Sequence, residues 1–240
     1  IHFKKSKDGR RLRIAVWKTE KKRPRGTIFF LNGHREFIEK YSETFAFFKK
    51  KGLNVITLDW RGWGLSERPI PSSPKIQDIS SAEEYQLDLD AVICFANEKK
   101  LMLPWHLVAH SLGCLLGLRK LISDPKCFDK YVFLSPLWGN MPSIPKLIQR
   151  FLIRNEEIFR FLQITKITNQ NPKKYIPYSL TVKFEKNTLT SDKKQFNRLQ
   201  TILKENTDLH SGAPTLGYLI AILKEINALN RASLPNRKIL

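Results

Sequence analysis

The stretch Trp105-His106-Leu107-Val108-Ala109-His110-Ser111-Leu112-Gly113 decides how this chain is read. Leu107, Val108 and Ala109 make an apolar run too short for a core helix, whereas Leu112, Leu115, Leu116, Leu118 and Leu121 recur at helical spacing. The periodicity changes at Ser111, so the segment reads as a buried strand that breaks at a serine into a helix. At such an elbow the side chain is pushed out of the sheet's carboxyl edge, and the helix amino terminus aims free N–H groups at any oxyanion formed there. That is the physical setting of a nucleophile. An elbow wants small residues on either side, in the pattern G-x-S-x-G, and here the pattern stands as Ala109-His110-Ser111-Leu112-Gly113. A bare Ser-x-Gly after a strand is common by chance, so the rest of the chain has to decide.

Working outward, Thr27-Ile28-Phe29-Phe30-Leu31 is a continuous apolar run, the sign of a strand covered on both faces. It ends at Asn32-Gly33-His34-Arg35, and a helix is expected over Glu36 to Lys51 with Gly52 as its stop. Asn54 to Asp59 is a further strand leading into the glycine-punctuated turn Trp60-Arg61-Gly62-Trp63-Gly64-Leu65-Ser66. Pro69 to Pro74 is a loop, Ser81-Ala82-Glu83-Glu84 reads as a capping box for a helix to Lys100, and Tyr131 to Ser135 is one more buried strand. Upstream, Lys4 to Lys18 reads as a hairpin turning at Lys7-Asp8-Gly9-Arg10. Strand and helix therefore alternate from Thr27 to Ser135, which predicts right-handed crossovers and a mostly parallel, doubly wound α/β sheet. In such sheets, sites form at the carboxyl ends of strands, where Asn32-Gly33-His34, Asp59-Trp60-Arg61 and His110-Ser111 all fall.

After Pro136 the character changes. Met141 to Lys166 is apolar and basic, with Ile144, Leu147, Ile148, Phe151 and Leu152 at helical intervals and Lys146, Arg150 and Arg154 between them. Residues 1–138 are expected to form the core, 139–212 a helical cap inserted over the sheet's carboxyl edge, and 213–240 a return to the core. Within that return, Pro214 to Leu229 reads as a helix and Arg237 to Leu240 as the start of a strand, so the C-terminal strands are expected to be incomplete.

An apolar fraction of 42% suits a buried core, and no apolar run approaches the ~18 residues of a membrane helix. Nothing resembles a secretory leader, and a first residue of Ile1 predicts a processed or partial chain. Cys94, Cys114 and Cys127 show no metal-ligand spacing and are expected to be small buried residues in a reducing, cytoplasmic setting. The net charge of +20 suits an anionic partner, but the basic residues are scattered with no dense arm or aromatic-interleaved stripe. No nucleic acid is expected. Peripheral contact with an anionic membrane through the Ile144 to Arg154 helix is a reading set beside the plainer one, that this helix only packs on the core.

With these residues laid out, the chain resembles the α/β-hydrolase superfamily, and within it the monoacylglycerol lipase, lysophospholipase and serine aminopeptidase S33 group. Leu31-Asn32-Gly33-His34-Arg35-Glu36, continuing to Tyr41, is similar to that group's H-G-x-x-E…Y loop, with Asn32 in the place of histidine. Leu58 to Ser66 resembles its D-x-R-G-x-G-x-S segment, and Ala109 to Gly113 its G-H-S-M-G elbow. The resemblance implies Ser111 as nucleophile, with the backbone N–H groups of His34 and Leu112 as an oxyanion hole whose donors contribute ~3 kcal/mol each. It implies that Asn32, Gly33 and Gly113 shape the site and that Asp59 and Arg61 brace a turn. His110 is expected to face away from Ser111 and pack, while Trp60 and Trp63 are core or pocket lining. It implies no cofactor or metal, and a small lipid-like ester as substrate.

The group places its acid and then its histidine late in the chain, in the order Ser…Asp…His. Downstream of Ser111 the only histidine is His210, whose surroundings do not look like those of a base, and Pro136-Leu137-Trp138-Gly139-Asn140 holds no carboxylate. A serine without a base is a poor nucleophile. The expectation is therefore an ester hydrolase whose 240 residues are a fragment or a shortened, inactive product. The alternatives are an S33-type aminopeptidase and a non-catalytic binding protein on a hydrolase scaffold.

Overall fold

The computed structural model describes residues 1–139, 144–168, 171 and 174–235. Six strands form one sheet: β1 (His2–Lys5), β2 (Arg11–Trp17), β3 (Thr27–Leu31), β4 (Asn54–Asp59), β5 (Trp105–His110) and β6 (Lys130–Leu134), in the order β1-β2-β4-β3-β5-β6. β3 pairs in parallel with β4 and β5, and β5 with β6. The expected hairpin is present, with β1 and β2 antiparallel and β2 also antiparallel to β4. The sheet is mostly parallel, as expected.

Side chains alternate across a strand, so a strand apolar at every position must be covered on both faces. Phe29 and Leu31 join Ile56, Leu58, Leu107 and Ala109 in the larger core cluster, whereas Ile28 and Phe30 join Val55 and Val108 in a second cluster on the opposite face. The larger cluster is closed by α2 (Glu83–Glu98), α3 (Leu112–Ser123) and α8 (Leu216–Leu229), through residues such as Leu89, Leu115 and Ile222. The smaller one is closed by α1 (Ser42–Lys50) through Phe45. Chain order reverses at β3, with β4 on one side and β5 on the other. This is the sheet's switch point, the place where doubly wound sheets put their sites.

The helix expected from Glu36 differs. Residues Ile38–Tyr41 form a 3₁₀ turn and the α-helix begins only at Ser42. The reason is tertiary: Glu36 is bound back to the Gly33 N–H, and the Ile38 N–H is taken by the Asp59 carboxylate. Gly52 does stop α1, at φ +84°. The Ser81 box is partly realised, with the Ser80 N–H donating to Glu84 and the Glu83 N–H to the Ser81 hydroxyl. Only Cys114 is buried as expected; Cys94 is exposed and Cys127 half-buried.

The 139–212 region contains α4 (Lys146–Arg154), α5 (Glu156–Phe161), a single turn α6 (Tyr178–Thr181) and α7 (Lys193–Glu205). Asp192 caps α7 by accepting from the Lys194 and Gln195 N–H groups, and Thr215 caps α8 by accepting from Tyr218 N–H. α4 lies against α8, yet the residue it buries is Gln149, while Leu147, Ile148 and Phe151 are exposed. Several of its apolar side chains thus face outward, so packing on α8 accounts for only part of this helix. The strand expected at Arg237 to Leu240 lies outside the described residues. Among those described, no helix is long and apolar enough to cross a membrane.

Candidate active site

Ser111 stands at the break between β5 and α3 with φ +52° and ψ −116°, a left-handed backbone that non-glycine residues rarely adopt. Main-chain bonds hold it there: its N–H donates to Leu134 O at 3.0 Å, and its carbonyl accepts from Cys114 N at 3.0 Å and Leu137 N at 3.2 Å. The elbow is therefore locked to β6's end as well as to its own helix. The Ser111 hydroxyl has no hydrogen-bond partner among the described residues.

Two glycines bring the β3 loop onto this elbow. A Cβ on Gly113 would sit 2.3 Å from Leu31 O and 2.7 Å from Asn32 O, so only glycine lets the first turn of α3 meet the end of β3. A Cβ on Gly33 would sit 3.0 Å from Ser111 Cβ and 3.0 Å from His110 Nδ1. Asn32 is buried, its side-chain amide nitrogen donating to Leu58 O at 3.1 Å and its backbone carbonyl accepting from Trp60 Nε1 at 3.2 Å. His34 follows directly, and no acceptor takes its N–H among the described residues. Leu112 is buried in the first turn of α3, where amides have no intrahelical acceptor. Ser111, Leu112, Gly113 and the 32–34 loop are thus one constellation.

His110 does not engage the Ser111 hydroxyl, and it makes polar contacts beyond packing. Its Nδ1 lies 3.1 Å from Glu36 Oε2 and 3.0 Å from the Tyr41 hydroxyl. The Glu36 carboxylate also accepts from Gly33 N–H at 2.5 Å, from Tyr41 O–H at 2.6 Å and from the Lys40 ammonium. Burial alone would raise this carboxyl, but the His110 hydrogen bond and the Lys40 charge outweigh it and hold it at about 2. A buried anion thus ties the loop before His34 to the residue before Ser111. Glu36 and Tyr41 belong to the quoted loop motif, yet its spacing said nothing of their joint contact with His110.

Asp59 and Arg61 brace their turn, as expected. Asp59 accepts from Ile38 N at 2.9 Å, Leu65 N at 2.8 Å and Arg13 Nε at 2.7 Å. Arg61 binds Asp88, Asp8 and Glu84; burial would lower its pKa, but the Asp88 and Asp8 contacts outweigh this and raise it. Trp60 and Trp63 are fully buried.

None of the five histidines engages the serine hydroxyl. His34 Nδ1 bonds the Tyr218 hydroxyl at 2.9 Å, and enclosure followed by the Arg35 charge pushes its pKa down to about 3. His210 Nε2 donates to Leu203 O at 2.8 Å, His106 faces Asp129 at the opposite end of the sheet, and His2 lies on Phe95. Tyr218 is 184 residues from His34 in sequence, a partnership no local pattern signals. Among the described residues no cluster of three or more His, Cys, Asp or Glu side chains could hold a metal ion.

The sequence profile of the serine aminopeptidase S33 family matches residues 22–232. The chain belongs to that family. It is 26% identical over 212 residues to the probable lysophospholipase L2 of Haemophilus influenzae, a match that covers 85% of this chain and 62% of the relative. This chain therefore spans about three-fifths of that relative's length. Among solved structures, the monoacylglycerol lipase of Paleococcus ferrophilus superposes with a TM-score of 0.67 at 17% identity, over 95% of this chain and 75% of that one. A soluble variant of monoglyceride lipase from Saccharomyces cerevisiae, in complex with a substrate analog, gives 0.65 at 15%, over 93% and 67%. This S33 chain has the α/β-hydrolase fold, and its relatives and structural neighbours include proteins named as lysophospholipase and monoglyceride lipase.

Proposed function

We propose that this chain carries the nucleophile and oxyanion hole of a serine hydrolase for carboxylic esters of lipid-like substrates. The observation that carries the reading is Ser111, held at positive φ atop the sheet with its hydroxyl unengaged and the Gly33-His34 turn against it. An ester carbonyl seated there would be attacked by Ser111 Oγ, its proton passing to solvent or hydroxide, and cleavage of the ester C–O bond would release the alcohol and leave an acyl-serine. The tetrahedral oxyanion would be met by the Leu112 and His34 amides, each such donor lowering the barrier by ~3 kcal/mol. Residues 139–212 act as a cap over the carboxyl edge, and the outward apolar, basic side of α4 makes peripheral contact with an anionic membrane. The relatives' names support a lipid ester over a peptide.

The histidines of this chain do not supply a base. A histidine with pKa about 3, such as His34, has little proton affinity left for a serine hydroxyl near neutral pH. By itself the chain is therefore dormant. Incubation with a fluorophosphonate near pH 7 is expected to label Ser111 little or not at all. Raising the pH toward ~9.5, where hydroxide substitutes for the missing base, is expected to bring slow labelling that mass spectrometry maps to Ser111 and that Ser111→Ala abolishes. Rapid stoichiometric labelling at pH 7 would reveal a base and end the dormancy. Alkaline labelling spread over other hydroxyls would leave a non-catalytic binding protein as the better reading.

A further inference from the structure

The Gly33–His34 peptide carries one of the two amides of the proposed oxyanion hole, yet the main chain holds it loosely. Glu36 fixes the Gly33 N–H, which leaves rotation about the bonds on either side of the peptide plane that follows. The Gly33 carbonyl accepts from Glu36 N–H at 3.4 Å, longer than the about 2.7–3.2 Å of an ordinary bond of this kind. Glycine makes such a rotation cheap. His34 and Arg35 also border a cavity of about 310 Å³, so on that side there is room for the turn to swing.

The His34 side chain supplies what the main chain does not. Its Nδ1 lies 2.9 Å from the Tyr218 hydroxyl, and its ring stands edge-on to the fully buried Trp63 with centroids 5.3 Å apart. A ring held at a nitrogen and at an edge fixes where the His34 Cβ lies, and so narrows the rotation open to the planar peptide before it. Tyr218 is a firm anchor. It is buried, its hydroxyl is shared with that of the buried Tyr85, and its N–H is capped by Thr215. Thr215 in turn donates to Asp78 at 2.6 Å, and Leu216 N–H to Ile167 O at 2.9 Å, so the first turn of α8 is seated from two directions. Burial raises both phenols above their usual range and keeps His34 neutral, so the bond persists from neutral into alkaline solution.

We propose that Tyr218 is a positioning residue, which through its hydrogen bond to the His34 side chain keeps the His34 N–H turned to the oxyanion formed at Ser111. This rests on Ser111 being the nucleophile and His34 a donor of the hole. The hole thereby depends on a residue that follows the cap, 184 positions away.

The test is the saturation kinetics of fluorophosphonate labelling of Ser111 in alkaline solution. Tyr218→Phe keeps the ring and removes the hydroxyl. A displaced donor acts on the transition state, so this variant is expected to lower the limiting rate about tenfold or more and to leave the half-saturating concentration within about twofold. His34→Leu keeps the backbone amide and is expected to slow labelling similarly. Adding Tyr218→Phe to it is expected to cost less than about twofold more, as for residues that act through one bond. Ile226→Val, in the core farther along α8, is expected to lower the melting temperature and change neither constant. A limiting rate kept by Tyr218→Phe, matched by Ile226→Val, or reduced multiplicatively in the double variant would overturn the proposal, as would a rise in the half-saturating concentration alone. The His34 amide resonance gives a reading independent of the serine and is expected to move in Tyr218→Phe. If the unaltered chain does not label, a moved resonance would keep the tether and refute the hydrolase reading alone, whereas an unmoved one would refute the tether.

Discussion

Glu36 shows how much a single residue can hold. Its carboxylate gathers the Gly33 amide, the Tyr41 hydroxyl, the Lys40 ammonium and His110, and so fixes the loop and the elbow against each other. Replacing it by glutamine keeps the shape but removes the charge and swaps one acceptor for a donor. Glu36→Gln is expected to cost about 2–3 kcal/mol at pH 7, the scale of breaking a buried charge-assisted network. The sign with pH follows from the depressed value. A carboxyl at about 2 when folded and 4.5 when unfolded contributes in full above pH 4.5, and that contribution fades as pH falls toward 2. Urea midpoints of the two proteins should therefore differ at pH 7 and converge near pH 2.5. A gap unchanged between those pH values would mean the carboxylate is not the source.

At the scale of elements, what could be read in the sequence depended on whether local pattern or distant contact set the conformation. The β5–Ser111–α3 elbow was legible because a change of period needs no knowledge of neighbours. The Lys4 to Lys18 hairpin and the Gly52 stop were legible for the same reason. The start of α1 was not, because Asp59 and Gly33 reach in from other segments and tighten residues 38–41 into a 3₁₀ turn. Arg35 was equally hidden: its sequence neighbours give no sign that its Nε is buried beside a cavity. α4 is the intermediate case, its period readable but not its direction. With Leu147 and Phe151 outward and Lys146, Arg150 and Arg154 on the same short helix, an anionic bilayer offers both an apolar layer and about 1 kcal/mol per basic residue near its surface. The chain is expected to sediment with phosphatidylglycerol vesicles in low salt, and Phe151→Glu to weaken this tenfold or more. Equal binding to phosphatidylcholine vesicles, insensitive to salt, would remove the membrane from the account.

Over the whole molecule, two opposing effects meet at β6. The inner strands β3 and β4 are buried at every position, but β6 pairs only with β5 among the described residues and leaves Leu134 47% exposed. An edge strand with no neighbouring strand on its outer side is a template for another copy. Against this stands the net charge of +20, which keeps copies apart in dilute salt. Salt decides which wins, because the screening length falls from ~30 Å at 0.01 M to ~8 Å at 0.15 M, comparable with the spacing of strands that meet edge to edge. Self-association measured by light scattering is thus expected to rise with salt, the opposite of the dependence for vesicle binding through α4. Leu134→Lys puts a charge on the edge itself and is expected to suppress the rise while leaving vesicle binding intact. Association that falls with salt, or that Leu134→Lys does not touch, would place the contact on a charged surface elsewhere rather than on this strand.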